Sequence, residues 1–194
     1  MGQEIEFKYR LPREALPRLK QELGPWEPIE METTYYDTPA RAFAARRWTL
    51  RTRRENGRQV ATLKTPGDGL VRGEWELEAA GIEAALPALL ALGAPAELEA
   101  LCAQGLEPVC GARFTRLCHL VQAAPGCRVE LALDCGVVAA GARSAPLCEL
   151  EAELKEGPVE AARAYSQALA RRYGLEPEPL SKFERAHALE DRHE

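Results

Sequence analysis

The chain has 194 residues, 46% of them hydrophobic and 28% charged, with a net charge of -5 at neutral pH. That length suits one domain with a substantial core, and the acidic balance excludes the overall basic footprint of a nucleic-acid binder. No stretch approaches the roughly 20 apolar residues of a membrane span, and no signal-peptide pattern opens the chain, so a cytoplasmic protein is expected. The six cysteines form no C-x-x-C pair and have no histidine cluster beside them, so reduced thiols and no structural zinc are expected.

The opening segment alternates Glu4, Glu6 and Lys8 with Ile5, Phe7 and Tyr9. Residues two apart on a strand share a face, so this strand carries two carboxylates and an ammonium on one side and apolar groups on the other. Pro12 then opens a helix whose spacing runs through Ala15, Leu16, Leu19 and Leu23 to Gly24. Met31 to Asp37 is rich in Thr and Tyr and reads as a strand, broken at Thr38-Pro39. A helical turn at Arg41 to Ala45 follows.

Trp48 to Glu55 and Gln59 to Thr65 are predicted as a hairpin through Asn56-Gly57. Arg51 and Arg53 share a face on its first arm, Thr62 and Lys64 on its second. The strand from Val71 to Ala79 again places a charge at every second position: Arg72, Glu74, Glu76 and Glu78. Residues 82 to 105 are Ala/Leu-rich and predict two short helices split near Gly93-Ala94-Pro95.

Val109 to Ala123 reads as a long strand with Arg113 and Arg116. Cys127 to Asp134 is the cleanest alternation, with Arg128, Glu130 and Asp134 on one side, and Gly136 to Ala140 is read as a separate strand. After a loop over Gly141 to Pro146, a second acidic strand puts Glu149, Glu151, Glu153 and Lys155 on one face. Val159 to Tyr173 is a helix between Pro158 and Gly174, and Ser181 is placed to cap a last helical turn carrying Lys182 and Arg185.

The fold class is therefore mainly β with α: about eight antiparallel strands and several helices, arranged either as an open sheet with its charges toward solvent or as a closed barrel with helices packed outside. A closed barrel can turn charged faces inward, and charges of both signs suit a lumen that must pair or ligate what it contains. Carboxylates two apart on a strand, facing a second such pair, converge on a cation. An oxygen-only set implies a hard divalent metal, Mg²⁺ or Mn²⁺. The many bases are then in excess, and arginine forks and lysine points match phosphate oxygens. Acids, metal and bases in one cavity describe a polyphosphate site.

Glu4-x-Glu6-x-Lys8, Tyr35-Tyr36-Asp37-Thr38-Pro39, Leu50-Arg51-x-Arg53, Thr62-x-Lys64, Glu149-x-Glu151-x-Glu153 and Ser181-Lys182, in this order, resemble the CYTH domain of the triphosphate tunnel metalloenzymes. Bacterial members with inorganic triphosphatase activity are the most similar. The resemblance implies one domain over residues 1–194, without the C-terminal helical CHAD domain such proteins often carry. It implies an eight-stranded antiparallel β-barrel, a triphosphate tunnel with helices packed outside, and metal-dependent hydrolysis of inorganic triphosphate to pyrophosphate and phosphate.

By the same resemblance, Glu4, Glu6, Glu149 and Glu151 are metal ligands, with Asp134 and Glu153 contributing directly or through water. Lys8, Arg51, Arg53, Lys64, Arg116 and Lys182 hold phosphate, with Arg72, Arg128 and Arg185 as further candidates, and Glu4, Glu6 and Lys8 form the catalytic group. The partner is a small-molecule triphosphate, with no nucleic acid or membrane. Alternatives are a class IV adenylyl cyclase or a thiamine triphosphatase on the same fold, or a non-catalytic polyphosphate-binding module. His119, His187 and His193 are given no catalytic role.

Overall fold

The computed structural model describes residues 2–67 and 72–190, apart from the side chains of residues 2–4 and 72. Its centre is one antiparallel sheet. In chain order the strands are β1 (Gly2–Glu4), β2 (Glu6–Arg10), β3 (Glu27–Asp37), β4 (Thr49–Glu55), β5 (Arg58–Pro66), β6 (Arg72–Glu78), β7 (Glu107–Ala124), β8 (Cys127–Ala140), β9 (Arg143–Glu156) and β10 (Glu176–Pro177). Their spatial order is β1-β6-β5-β4-β3-β7-β8-β9-β2-β10.

The mainly antiparallel architecture matches the expectation, but among the described residues the ladder has ten strands, not eight, and is not closed. The difference lies at Ile5, which divides the first strand. Gly2 to Glu4 pair with β6, placing Glu4 opposite Arg72, while Glu6 to Arg10 pair with β9, placing Glu6 opposite Glu153. One short segment thus lies along both ends of the sheet and curls it into a barrel-like shape around a lumen.

Two further boundaries differ for identifiable reasons. Gly136 does not end a strand, and β8 runs unbroken through it. A Cβ there would stand 2.1 Å from the Arg113 carbonyl oxygen, so glycine permits the close approach of β7. β3 begins at Glu27 despite Pro28, because there it pairs only with β7 and β4 joins at Met31. A missing N–H on the unpaired side breaks no ladder bond. The Asn56-Gly57 turn forms as expected, with φ of 48° and 91°, the left-handed pair a two-residue hairpin requires.

Among the described residues six helices pack around this sheet: α1 (Leu16–Leu23), α2 (Ala42–Ala45), α3 (Ile82–Ala91), α4 (Glu97–Cys102), α5 (Val159–Tyr173) and α6 (Lys182–His187). α1 and α5 bury Leu19, Ala162, Leu169 and Tyr173 against Phe7, Tyr9, Val129, Leu131 and Leu150, the outward residues of β2, β8 and β9. α3 and α4 do the same over β4, β5 and β6 with Leu89 and Leu98 against Leu50 and Leu63. At about 25 cal/mol per Å² of apolar surface, these covers hold the charged strand faces inward. α6 packs at one end of the lumen, where Phe183 meets Tyr35 at 5.3 Å between ring centroids. Ser181 and Glu184 form a capping box at its start. No helix among the described residues is long and apolar enough to cross a membrane.

Candidate functional site

The inward faces enclose a cavity of about 420 Å³. The residues that alternation placed on one face meet there: Glu6 and Lys8 from β2, Arg51 and Arg53 from β4, Lys64 from β5, Arg116 from β7, and Glu151 and Glu153 from β9, with Lys182 from α6. Glu55, Glu74, Glu76, Glu130 and Lys155 join them. These five belong to the same alternating runs, so period-two spacing carried the signal. Tyr35, Phe114 and Phe183 add an aromatic flank that no charge pattern could announce.

Two layers separate within this set. Asp134 and Glu149 are fully buried and do not line the cavity; they form a floor with Glu151. The Lys182 ammonium stands 2.7 Å from Asp134 and 2.8 Å from Glu151 and also donates to Glu149. Arg116 takes both Asp134 oxygens at 2.7 and 2.6 Å and Glu151 at 2.5 Å, while Arg185 bonds Glu149. Three cations answer three carboxylates.

Burial pushes the Glu149 carboxyl up to about 7, against the pull of Lys182 and Arg185. Burial also opposes ionisation of Glu151, but Lys182 and Arg116 outweigh it and hold that carboxyl well below the usual range. For Lys182, desolvation is overcome by Asp134, Glu151 and Glu149, which raise its pKa. The floor persists as a paired network in which Glu151 and Lys182 stay ionised and Glu149 takes up a proton as pH falls through about 7. Beside it, Glu178 accepts from Arg10 at 3.1 and 3.2 Å and stands 3.7 Å from Arg185. Sequence reasoning missed both Arg10 and Glu178, because only the pairing of β10 with β2 brings them together.

The wall is different. Desolvation lowers the Arg53 pKa, and the neighbouring Arg51 and Arg116 guanidiniums lower it further, against Glu55 and Glu76. Arg53 lies 2.5 Å from Glu55, and Lys64 3.3 Å from Glu74. Crowded guanidiniums that disfavour one another's charge are relieved by an anion placed between them.

Across the lumen, Glu6 faces Glu153, and Glu153 faces Glu130, at one level of three adjacent strands. Side chains opposed in this way lie about 4.5–5.5 Å apart at Cβ. With Glu151 below them, they give four carboxylates open to the cavity, of which Lys155 bridges Glu153 at 2.8 Å and Glu130 at 3.3 Å. That chemistry fits a hard divalent cation. Asp134, Glu149 and Glu151 also offer oxygens within 4.8 Å of one another, but there the Lys182 ammonium already holds the centre.

The remaining candidates fall elsewhere. Arg128 pairs with Glu156 at 2.8 Å in an exposed bridge away from the lumen lining, where a register shift follows it. Arg185 reaches the floor but not the cavity. The side chains of Glu4 and Arg72 lie outside the described residues.

The sequence profile of the CYTH domain matches residues 2–187. The chain belongs to the CYTH family. It is 33% identical over 169 residues to an inorganic triphosphatase from Haemophilus influenzae; the match takes in 82% of this chain and 47% of that protein, so the chain spans about half the length of that curated relative. Among solved structures, a putative adenylyl cyclase from Hippeastrum, described as having a dominant triphosphatase activity, superposes with a TM-score of 0.65 over 93% of each chain at 21% identity. A Pyrococcus horikoshii OT3 protein gives 0.64 at 25% identity, over 97% of this chain and 99% of its own. These two likenesses concern the fold.

Proposed function

We propose that this CYTH domain hydrolyses inorganic triphosphate to pyrophosphate and phosphate with the help of Mg²⁺ or Mn²⁺. The observation that carries the reading is the crowding of Arg51, Arg53 and Arg116 on one side of a lumen whose other side is lined by carboxylates. A linear polyanion answers the first side and a divalent cation the second.

In this reading Arg51, Arg53 and Lys64 bind phosphate oxygens, and Glu55 and Glu74 fix the Arg53 and Lys64 side chains at the wall. Lys8 stands opposite Glu151 in register, where the basic and acidic sides join, and grips the reacting phosphoryl group. Glu6, Glu130, Glu151 and Glu153 would hold the metal, which when bound neutralises charge building on the phosphate oxygens. Glu6 also accepts a hydrogen bond from the attacking water and orients it. Asp134 and Glu149 act one layer down: Asp134 fixes the Arg116 guanidinium, and both, with Glu151, take up the three donors of Lys182.

Phosphate release from tripolyphosphate, ATP and thiamine triphosphate, each with Mg²⁺, Mn²⁺ or EDTA, tests this. Fast release from tripolyphosphate that EDTA abolishes is the expected result. Cyclic AMP from ATP without phosphate release, or tight tripolyphosphate binding without turnover, would overturn it.

A further inference from the structure

Away from the lumen, Cys135 on β8 and Cys148 on β9 face each other directly in the strand register. Their sulfurs are 3.3 Å apart. Each follows or precedes a carboxylate of the floor, Asp134 or Glu149, so alternation turns both thiols to the opposite, outer face of the sheet. Cys148 there packs beside the core cluster beneath α1 and α5. Neither thiol is fully buried. Directly opposed antiparallel residues have Cα atoms about 4.5–5.5 Å apart, inside the roughly 4.4–6.8 Å window that a disulfide bridges without moving backbone.

We propose that Cys135 and Cys148 are a covalent modification site, a dithiol that closes reversibly to an intramolecular disulfide on meeting a small disulfide such as oxidised glutathione. One thiolate attacks the small disulfide, forming a mixed disulfide and releasing one thiol. The second cysteine attacks the protein sulfur of that adduct, and the other glutathione leaves as thiol. Two protein thiols are oxidised, one disulfide is reduced, and the two protons end on the released thiols. The opposed geometry makes the second step faster than escape of the adduct, because the resolving sulfur is already in contact. Cys102, Cys110, Cys118 and Cys127 lie on other elements or at other levels of the sheet and serve as internal controls.

The test treats the whole chain with oxidised glutathione, counts thiols in denaturant and maps linked peptides. Loss of two of the six thiols, mapped to a Cys135–Cys148 link and fully restored by dithiothreitol, is the expected result. Six remaining thiols, a link between other cysteines, or a stable glutathione adduct on the unmutated chain would overturn the proposal. Cys148→Ser is expected to lose one thiol at most, as a glutathione adduct on Cys135; loss of two thiols in that variant would contradict it. Should that variant not fold, Cys135→Ser gives the same reading from the other side.

Discussion

At the floor of the lumen Arg116, Lys182 and Arg185 meet Asp134, Glu149 and Glu151 in equal number, with Asp134 and Glu149 fully buried. On the wall above, Arg51 and Arg116 crowd Arg53 and, with desolvation, disfavour its charge. The residue types are the same, and the difference is openness, since the wall cations also have partners, Arg53 with Glu55 and Lys64 with Glu74, but face the cavity. A buried paired network stabilises and positions, while like charges crowded at an open wall favour an added anion. Binding chemistry belongs to the second kind of region, and its rigidity to the first.

Breaking the floor should have the largest effect. Lys182→Met leaves three buried carboxylates without their common partner, and losing one side of a buried ion pair costs about 3–5 kcal/mol. Urea denaturation at neutral pH reads this directly. A loss under about 1 kcal/mol would mean that the floor is held by Arg116 and Arg185 alone.

Breaking the wall should separate binding from stability. Arg53→Met removes a crowded cation, so weaker tripolyphosphate binding is expected by about tenfold or more, the scale of one charge-assisted hydrogen bond. The denaturation midpoint should stay close to that of the parent. Unchanged binding measured by calorimetry would take Arg53 out of the phosphate site.

A smaller effect sharpens the same contrast through pH. The folded pKa of Glu149, about 7, lies above the ordinary value of 4.5. Its contribution to stability is therefore fully present below the ordinary value, is lost as pH rises toward 7, and is flat above. Subtracting the stability of Glu149→Gln from that of the parent across this range should give a difference that falls with rising pH. A difference that rises would place the Glu149 proton elsewhere in the network.

The smallest effect belongs to the surface. Glu22 accepts from Arg18, Arg172 and Tyr173 and has a pKa lowered to about 2, chiefly by the Arg18 hydrogen bond. Its stabilising contribution is present above 4.5 and lost as pH falls toward 2. The thermal midpoint of Glu22→Gln should differ slightly from the parent at neutral pH and converge with it in acid.

Much of the wall was legible in the sequence, since period two alone puts Arg51 with Arg53 and Thr62 with Lys64 on shared faces. The helix at Val159 to Tyr173 was equally plain from its flanking Pro158 and Gly174. The floor was not legible. Nothing local says that α6 carries Lys182 into the space between Asp134, Glu149 and Glu151, because that contact depends on how elements distant in sequence close over one another. The break at Ile5 was hidden for a similar reason. A strand that serves two sheet ends has the same alternation as one that serves a single neighbour, and only the register with β6 and β9 separates them.

The division between floor and wall is tested most directly by the Mg²⁺ concentration that gives half-maximal phosphate release from tripolyphosphate, measured for Glu153→Gln beside Glu149→Gln. With the cation held by the lumen row, Glu153→Gln should need about tenfold more Mg²⁺ or above, and Glu149→Gln should keep the parent requirement even if its rate falls. A raised requirement in Glu149→Gln with none in Glu153→Gln would contradict the account and put the cation where Lys182 now stands.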